Sequence, residues 1–455
     1  MDKDTRIARI KDVKERSGEG IKEEIVWEDV LQPFPVYKIP LDNLVYNKYN
    51  GRILTRTKSL ESQGKPINVE TREGKEIIED LLWATKPDRN KQTLVDLEKF
   101  GQKRVGIVTA DGIIIDGNRR AMLLNRSGKY SYFKAIVLPV TLEQNPLEIE
   151  KLETSYQMGE DEKLSYNPIE KYLKAQNLQR KNVKVEDIAK WMGESVKEIE
   201  KYIRTMSIMD EYLSFYKYDR MYTQLDGRED SFLSLEKWST NFYGEKSSRA
   251  FDGYRDSDVD DLKSIVFDYI RADYEGKSLR IIADGSRENH FFGDKKIWRD
   301  FCDIHFRNID PIKLAEDPIR LEGAIDLEKS LNSRDDMYRA KSIKLLTDNL
   351  VNHKDNIGNQ KYADEPEKLI IKAIDATKVA QFNKNVGRDE VMNKVEELND
   401  ITVSIMRKKA PVALLRYINS LLSSIDAEAC GDNKFDVETE LKNIQREAYR
   451  LSKDI

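Results

Sequence analysis

The stretch VGIVTADGIIIDGNRRAMLLNR, residues 105–126, decides the fold of the chain. Its apolar start predicts a short strand, Asp111-Gly112 is a dipeptide typical of a hairpin turn, and the β-branched run 113–115 predicts the returning strand. The letters AMLLNR at its end predict a helix that begins on two arginines. Residues 105–126 therefore predict a strand, a turn, a second strand and a helix in succession.

The turn between the second strand and the helix carries the chemistry of this stretch: Asp116, Gly117, Asn118, Arg119 and Arg120. Glycine permits close backbone approach, and the free N–H groups at a helix start attract an anion. Two arginines add fixed positive charge that can fork onto phosphate oxygens. The pattern indicates a phosphate site, although any α/β protein needs polar turns after its strands, so the spacing alone leaves a structural role open.

This stretch resembles the ParB/sulfiredoxin-like family, whose N-terminal domain carries a strand, a hairpin and an arginine-bearing turn that leads into a helix. The matching residues are Gly117, Asn118, Arg119 and Arg120, with Asp116 before them. In ParB-type members the turn binds nucleotide phosphates, so the resemblance implies a nucleotide or phosphate site at these five residues. In sulfiredoxins a cysteine of this turn is the nucleophile. Asn118 stands at that position and cannot supply a thiolate, so sulfiredoxin activity is not expected.

Two further segments resemble parts of ParB-like domains. The first is the opening of the domain, matched here by Ile39, Pro40, Leu41, Leu44, Asn47, Asn50 and Arg52. The second closes the nucleotide pocket in that family, and Glu153 and the Asn-Pro-Ile-Glu sequence at 167–170 resemble its two ends. The arginine expected between them is missing and the spacing is longer. The resemblance implies that Glu153 belongs to the nucleotide site.

Residues 185–206 predict a helix-turn-helix, with Gly193 ending the first helix and Ser195 capping the second. We expect DNA contacts from Ser195, Lys197, Lys201 and Arg204. Three glutamates lie among these residues, and acidic side chains repel phosphates. The segment is therefore predicted either to contact duplex DNA or to be a helical packing unit that has the shape of a helix-turn-helix without contacting DNA.

Composition limits the class of protein. The chain has 455 residues, 35% of them charged, and its apolar runs are too short to cross a bilayer, so we expect a cytoplasmic protein without membrane contact. Its two cysteines, Cys302 and Cys430, give no disulfide framework. No metal site is expected, because Cys302 and His305 lack a second such pair. The net charge of −5 excludes bulk coating of nucleic acid, although residues 101–140 carry seven Lys or Arg against two Asp.

The predicted fold class is α+β: a small ParB/sulfiredoxin-like mixed α/β N-terminal domain, then a mainly helical region with the helix-turn-helix and C-terminal helices. Residues 1–30 predict a charged helix. Residues 54–100 predict two helices, around 75–83 and 91–100, and residues 133–140 predict the strand that closes the sheet. Five domains are expected. They are an N-terminal helical extension (1–35), the α/β domain (36–145), the helix-turn-helix domain (146–225), a helical domain (226–340) and a C-terminal helical domain (341–455).

The resemblance implies a ParB-like, nucleotide-responsive DNA-binding protein whose C-terminal helices join two copies. Its expected ligand is a nucleoside triphosphate, CTP or ATP, with or without Mg²⁺. A second hypothesis is an NTP-hydrolysing or nuclease component of a DNA modification, restriction or phage-defence system, for which no catalytic residue is assigned. A third is a non-catalytic adaptor on a ParB-like scaffold.

Overall fold

The computed structural model describes the whole chain except residues 19, 160–166, 317–326, 361–364, 410, 426–433 and 455. The sequence also predicts a loop at the acidic residues 159–162 and a turn at 431–433. Most of that loop, the whole turn and Cys430 lie outside the described residues. The chain divides into two compact units, residues 1–361 and 362–455.

A six-stranded mixed sheet organises the N-terminal part of the first unit. Its strands are β1 Lys22–Trp27, β2 Val30–Pro40, β3 Val45–Tyr46, β4 Gly106–Val108, β5 Ile113–Asp116 and β6 Tyr132–Val137. Their spatial order is β1-β2-β6-β4-β5-β3. The β4–β6 and β3–β5 pairs are parallel and the other three are antiparallel. The mixed α/β class expected for this region is confirmed.

The stretch 105–126 folds as predicted. The β4–β5 hairpin turns at Gly112, where φ is 79°, and α5 (Asn118–Ser127) begins two residues after β5. The strand expected from residues 133–140 is confirmed over Tyr132–Val137 as β6, but it lies inside the sheet between β2 and β4 and does not close it at an edge. Helix α5, which starts on the arginine turn, therefore connects β5 to β6, the two strands on either side of β4.

The helix expected over residues 1–30 is wrong beyond its first half. Helix α1 spans Lys3–Arg16, and the chain then forms the β1–β2 hairpin. Ile25 and Trp27 are buried while Glu24 and Val26 are exposed, so β1 has the two-residue period of a strand with one covered face. Burial of these two side chains overrides the charged, helix-compatible composition of the segment.

Both faces of the sheet are covered. On one face Ile39, Val108 and Ile114 pack against helices α2 Leu54–Ser62, α3 Arg72–Thr85, α4 Pro87–Phe100 and α5. On the other face Ile107 and Ile136 pack with β1 and with helix α6 (Pro146–Thr154). The predicted helices around 75–83 and 91–100 are confirmed as α3 and α4, whereas α2 was not predicted.

A helical region completes the first unit. Its helices are α7 Pro168–Arg180, α8 Val185–Met192, α9 Val196–Phe215, α10 Glu229–Phe242, α11 Asp256–Arg271, α12 Arg280–Ala283, α13 Lys295–Leu314 and α14 Leu327–Gln360. The helix-turn-helix shape is present in α8 and α9, with Gly193 at φ 62° and the Ser195 hydroxyl accepting from the Glu198 N–H. A large core that includes Tyr212, Trp238 and Trp298 holds the region together.

The second unit consists of helices α15 Pro366–Ala380, α16 Asp389–Lys409, α17 Pro411–Ser424 and α18 Lys434–Asp454. Each exposes large apolar side chains, for example Ile374, Ile401, Leu415 and Leu441. The domain boundary expected at 340/341 falls inside α14, whereas the division between the two units lies at 361/362. Within the described residues no helix combines the length and apolarity needed to cross a membrane.

Candidate functional site

Gly117 shapes the turn on which the candidate site is built. Its φ is 101°, and a Cβ at this position would lie 2.6 Å from the Phe133 ring. The position therefore requires glycine on both conformational and steric grounds. Gly117 is the N-cap residue of α5, so the N–H groups of the first turn of that helix, which have no partner within the helix, come directly after it in the chain.

A cavity of about 960 Å³ opens beside this turn. Asp116, Gly117, Asn118, Arg119 and Arg120 all line it. Six of its lining residues are cationic: Arg52, Arg89, Lys103, Arg104, Arg119 and Arg120. Its acidic lining residues are Glu23, Glu24, Asp96 and Asp116. The volume lies within the range of small-molecule sites in proteins.

The two arginines of the turn are fixed differently. The Arg120 guanidinium lies 2.5 Å from an Asp116 carboxylate oxygen and donates to the backbone oxygens of Arg104 and Val105, at 2.6 and 3.1 Å. The Arg119 Nε donates to the side-chain oxygen of Asn90, a buried residue of α4. Arg120 therefore stabilises the two residues that precede β4, and Arg119 links the turn to α4.

Lys86, between α3 and α4, adds positive charge to the same region. Partial burial and the neighbouring cations Arg89, Arg52 and Arg119 lower the pKa of its ammonium group. The charged neighbours that shift this pKa are all positive. Because like charges held together repel, this corner of the site is electrostatically suited to an anion.

A smaller cavity of about 210 Å³ shares Arg52 and Arg119 with the large one. Its other lining residues are Thr55, Arg56, Thr85, Lys86, Asn167 and Glu170. Burial raises the pKa of Glu170 to about 8. Glu170, the one carboxyl among these lining residues, is therefore mainly neutral at pH 7, and the cavity is positive.

Glu170 also fixes the position of α2. Its carboxyl accepts hydrogen bonds from the Thr55 hydroxyl at 2.6 Å and from the Thr55 N–H at 3.2 Å. Asn167 caps α7, and Pro168 is the first residue of that helix. The 167–170 segment thus joins α7 to the start of α2 at the small cavity.

Asn118 and Glu153 belong to a buried polar network. The Asn118 side chain accepts from the Asn47 N–H and donates to the Ile114 oxygen. Glu153 accepts from the side chains of Asn47 and Gln157 at 3.1 Å each, and burial raises the pKa of its carboxyl. Asn118 lines the large cavity, and so does Gln157. Glu153 does not line this cavity and lies behind Gln157.

The four predicted DNA-contacting residues share one helix but differ in their surroundings. The Ser195 hydroxyl caps α9 and Lys197 is exposed. The Lys201 ammonium lies 3.9 Å from the Glu198 carboxylate, and the Arg204 guanidinium lies 2.7 Å from that of Glu236. The positive charges of Lys201 and Arg204 are therefore offset by nearby carboxylates.

Three cations of the site, Arg56, Lys86 and Arg89, were not predicted, whereas Lys103 and Arg104 had entered only in the count of basic residues over 101–140. Arg52 had entered only as part of the resemblance to the ParB-like opening. Pro87 could have given a partial signal, because it begins α4 directly after Lys86. No local pattern shows that α2 and α4 approach the same turn.

Among the described residues, no three His, Cys, Asp or Glu side chains are grouped so that they could hold a metal ion. Comparisons with protein-family models, with curated proteins and with solved structures found no match. The site is therefore interpreted from its own geometry.

Proposed function

We propose that the N-terminal part of this chain binds a nucleotide at the large cavity, as in a ParB-like, nucleotide-responsive DNA-binding protein. The observation that carries the proposal is the convergence of cationic residues on one cavity of about 960 Å³ from the segment before α2, from α4 and the loop after it, and from the arginine turn. Arginine and lysine bind phosphate oxygens through charge-assisted hydrogen bonds.

The cavity also has an apolar part. Ile25, Ile107 and Ile136 line it together with Tyr156. A ligand with a polyanionic end and a flat, less polar end suits such a lining, and a nucleoside phosphate has both. The phosphates are assigned to the corner where the large cavity meets the small one, at Arg52 and Arg119, which line both, and Lys86, which lines the small one.

The proposal includes two partners besides the nucleotide. Duplex DNA is assigned to the part of the chain that contains the helix-turn-helix. A second copy of the chain is assigned to the C-terminal helices, whose exposed apolar side chains support an association of this kind. Light scattering on the purified protein would measure its mass, and a monomer at micromolar concentration would contradict the dimer.

The nucleotide proposal is tested by thermal unfolding with CTP, ATP, GTP and ADP, each with and without Mg²⁺. A ligand that binds only the folded state raises the melting temperature. We expect a rise with at least one nucleotide and its loss in Arg119→Ala. The matched control is Arg72→Ala, because Arg72 is exposed on α3, pairs with Glu76 and does not line either cavity.

Calorimetric titration gives the affinity for the same ligands. No heat and no stabilisation with any of them in the wild-type protein would contradict nucleotide binding. Release of inorganic phosphate from the bound nucleotide would favour the NTP-hydrolysing alternative. Unchanged binding in Arg119→Ala would place the nucleotide elsewhere on the chain.

A further inference from the structure

A second group of cations lies outside both cavities, where α2, α7 and the loop after α9 come together. We call it the α2–α7 basic face and define it by Lys58, Arg180, Lys181 and Arg220. Lys58 belongs to α2, Arg180 and Lys181 end α7, and Arg220 lies in the loop after α9. None of the four lines the arginine cavities.

Lys58 is held at the centre of this face. Its ammonium donates to the Asn177 side-chain oxygen at 3.1 Å and lies 5.8 Å from the centre of the Tyr222 ring. Partial burial and the positive charges of Arg180, Arg220 and Lys181 lower the pKa of Lys58. A lysine fixed between an amide, an aromatic ring and other cations is suited to receive an external anion.

The acidic partners of this face lie beneath its cations. Asp210 accepts from Gln176 at 2.9 Å and from Arg180 at 2.8 Å. The Asp210 side chain is 26% exposed, whereas that of Arg180 is 57% exposed. Lys181 pairs with Glu150, and their side chains are 57% and 14% exposed. At Arg180 and Lys181 the face therefore presents positive charge outward and keeps the paired carboxylates below, while Asp219, next to Arg220, is exposed.

The first turns of α9 present a different surface. Glu198 is 45% exposed there and Lys201 38%, so the acid is as accessible as the base. Glu200 is exposed as well. An approaching phosphate backbone would meet carboxylates at this end of α9, and these repel it.

We propose that the α2–α7 basic face contacts the phosphate backbone of duplex DNA. The proposal rests on the DNA-binding part of the proposed function and assigns it a surface. Cations supplied by three segments match a polymer of regularly spaced charges better than a single small anion. The face also adjoins the helix-turn-helix, because α7 packs against α9 through Tyr172 and Tyr202, whose rings are 4.8 Å apart. Contacts of this kind bind DNA without reading its sequence.

The test compares two variants of the full-length protein that remove charge from different surfaces. Arg180→Gln/Lys181→Gln/Arg220→Gln alters only exposed side chains of the basic face, and Lys197→Gln/Lys201→Gln alters the start of α9. Each is titrated against a labelled random-sequence duplex by fluorescence anisotropy at about 50 and 200 mM salt, because each phosphate contact contributes about −0.9 to the slope of log K against log salt.

We expect the basic-face variant to bind the duplex at least tenfold more weakly at low salt, with a salt slope less steep by about 2 to 3. The Lys197→Gln/Lys201→Gln protein should bind nearly as the wild type does. Equal binding by wild type and basic-face variant, or a loss confined to the α9 variant, would overturn the proposal.

Two further measurements separate this proposal from the nucleotide site. The melting-temperature shift with nucleotide should be the same in the basic-face variant and the wild type, which shows that the variant is folded. If the wild type binds vesicles of anionic lipid but not the duplex, the assignment to DNA is overturned while nucleotide binding stands on its own titration.

Discussion

The Arg120 guanidinium lies 2.5 Å from the Asp116 carboxylate across the turn formed by Gly117, so one wall of the cavity is braced by an internal ion pair. The same guanidinium donates to two backbone oxygens that precede β4. Arg120 therefore serves the fold and adds positive charge to the cavity, whereas Arg119, at the next position, is tied to Asn90 of α4. Because of this difference, substitutions of Arg119 and of Arg120 are expected to have different effects.

Substitution of Arg120 is expected to lower stability. Arg120→Ala leaves the oxygens of Arg104 and Val105 without these donors, and charge-assisted hydrogen bonds of this kind contribute about 1.5 to 3 kcal/mol. We expect urea unfolding to show a loss of about 2 to 3 kcal/mol. Arg120→Lys keeps the charge but not the planar fork, so it should lose stability and keep part of the nucleotide affinity. Wild-type stability in Arg120→Ala would show that these bonds do not hold the turn.

Gly117→Ala is expected to be more harmful than the same change at Gly128. Both glycines have positive φ, 101° and 64°, but only at Gly117 would the new Cβ meet the Phe133 ring, at 2.6 Å. Gly128 has nothing within 4 Å of that position. We expect Gly128→Ala to cost about 1 kcal/mol from backbone strain and Gly117→Ala about 1 to 3 kcal/mol more. Equal losses in chemical denaturation would mean that the Phe133 ring moves aside freely.

Local patterns explain which parts of the fold were predictable. Asp111-Gly112 specifies a tight turn and the run from Ala121 specifies a helix, so the stretch 105–126 folds as expected. β1 was missed because only Ile25 and Trp27 reveal its period among charged residues. Helix α2 was missed because its buried side chains include polar ones: the Thr55 hydroxyl donates to Glu170, 115 positions further along the chain, and the Ser59 hydroxyl donates to the Thr55 backbone oxygen.

The candidate site was predictable only where it is continuous in sequence. The turn from Asp116 to Arg120 was identified, and all five residues line the cavity. Arg89 lines the large cavity and Lys86 the small one because α4 packs against α5, which is a long-range property of the fold. Glu153 does not line the cavity, since its carboxylate accepts hydrogen bonds from Asn47 and Gln157, and its assignment to the nucleotide site stays a prediction.

Glu170 is expected to make stability fall as pH rises. Burial raises its pKa from about 4.5 to about 8 in the folded state, so between these values the folded protein binds a proton that the unfolded chain releases. The stabilisation is complete below about pH 4.5 and is lost as pH rises towards 8, with a slope of at most about 1.4 kcal/mol per pH unit. Glu170→Gln removes the titrating group, so the difference between the two unfolding free energies should change across this window. A difference independent of pH would mean that Glu170 titrates normally.

Lys86→Ala is expected to weaken nucleotide binding without weakening the fold. Its ammonium is surrounded by Arg52, Arg89 and Arg119, so its removal relieves repulsion in the free protein and takes away one phosphate-binding charge. We expect stability within about 0.5 kcal/mol of wild type, as for most surface changes, and an affinity about tenfold lower. Calorimetry with a nucleoside triphosphate and its monophosphate should show the larger loss for the triphosphate, because Lys86 lines the small cavity beyond Arg52 and Arg119. Equal losses for both ligands would place Lys86 next to the first phosphate, and unchanged affinities for both would exclude the phosphates from this corner.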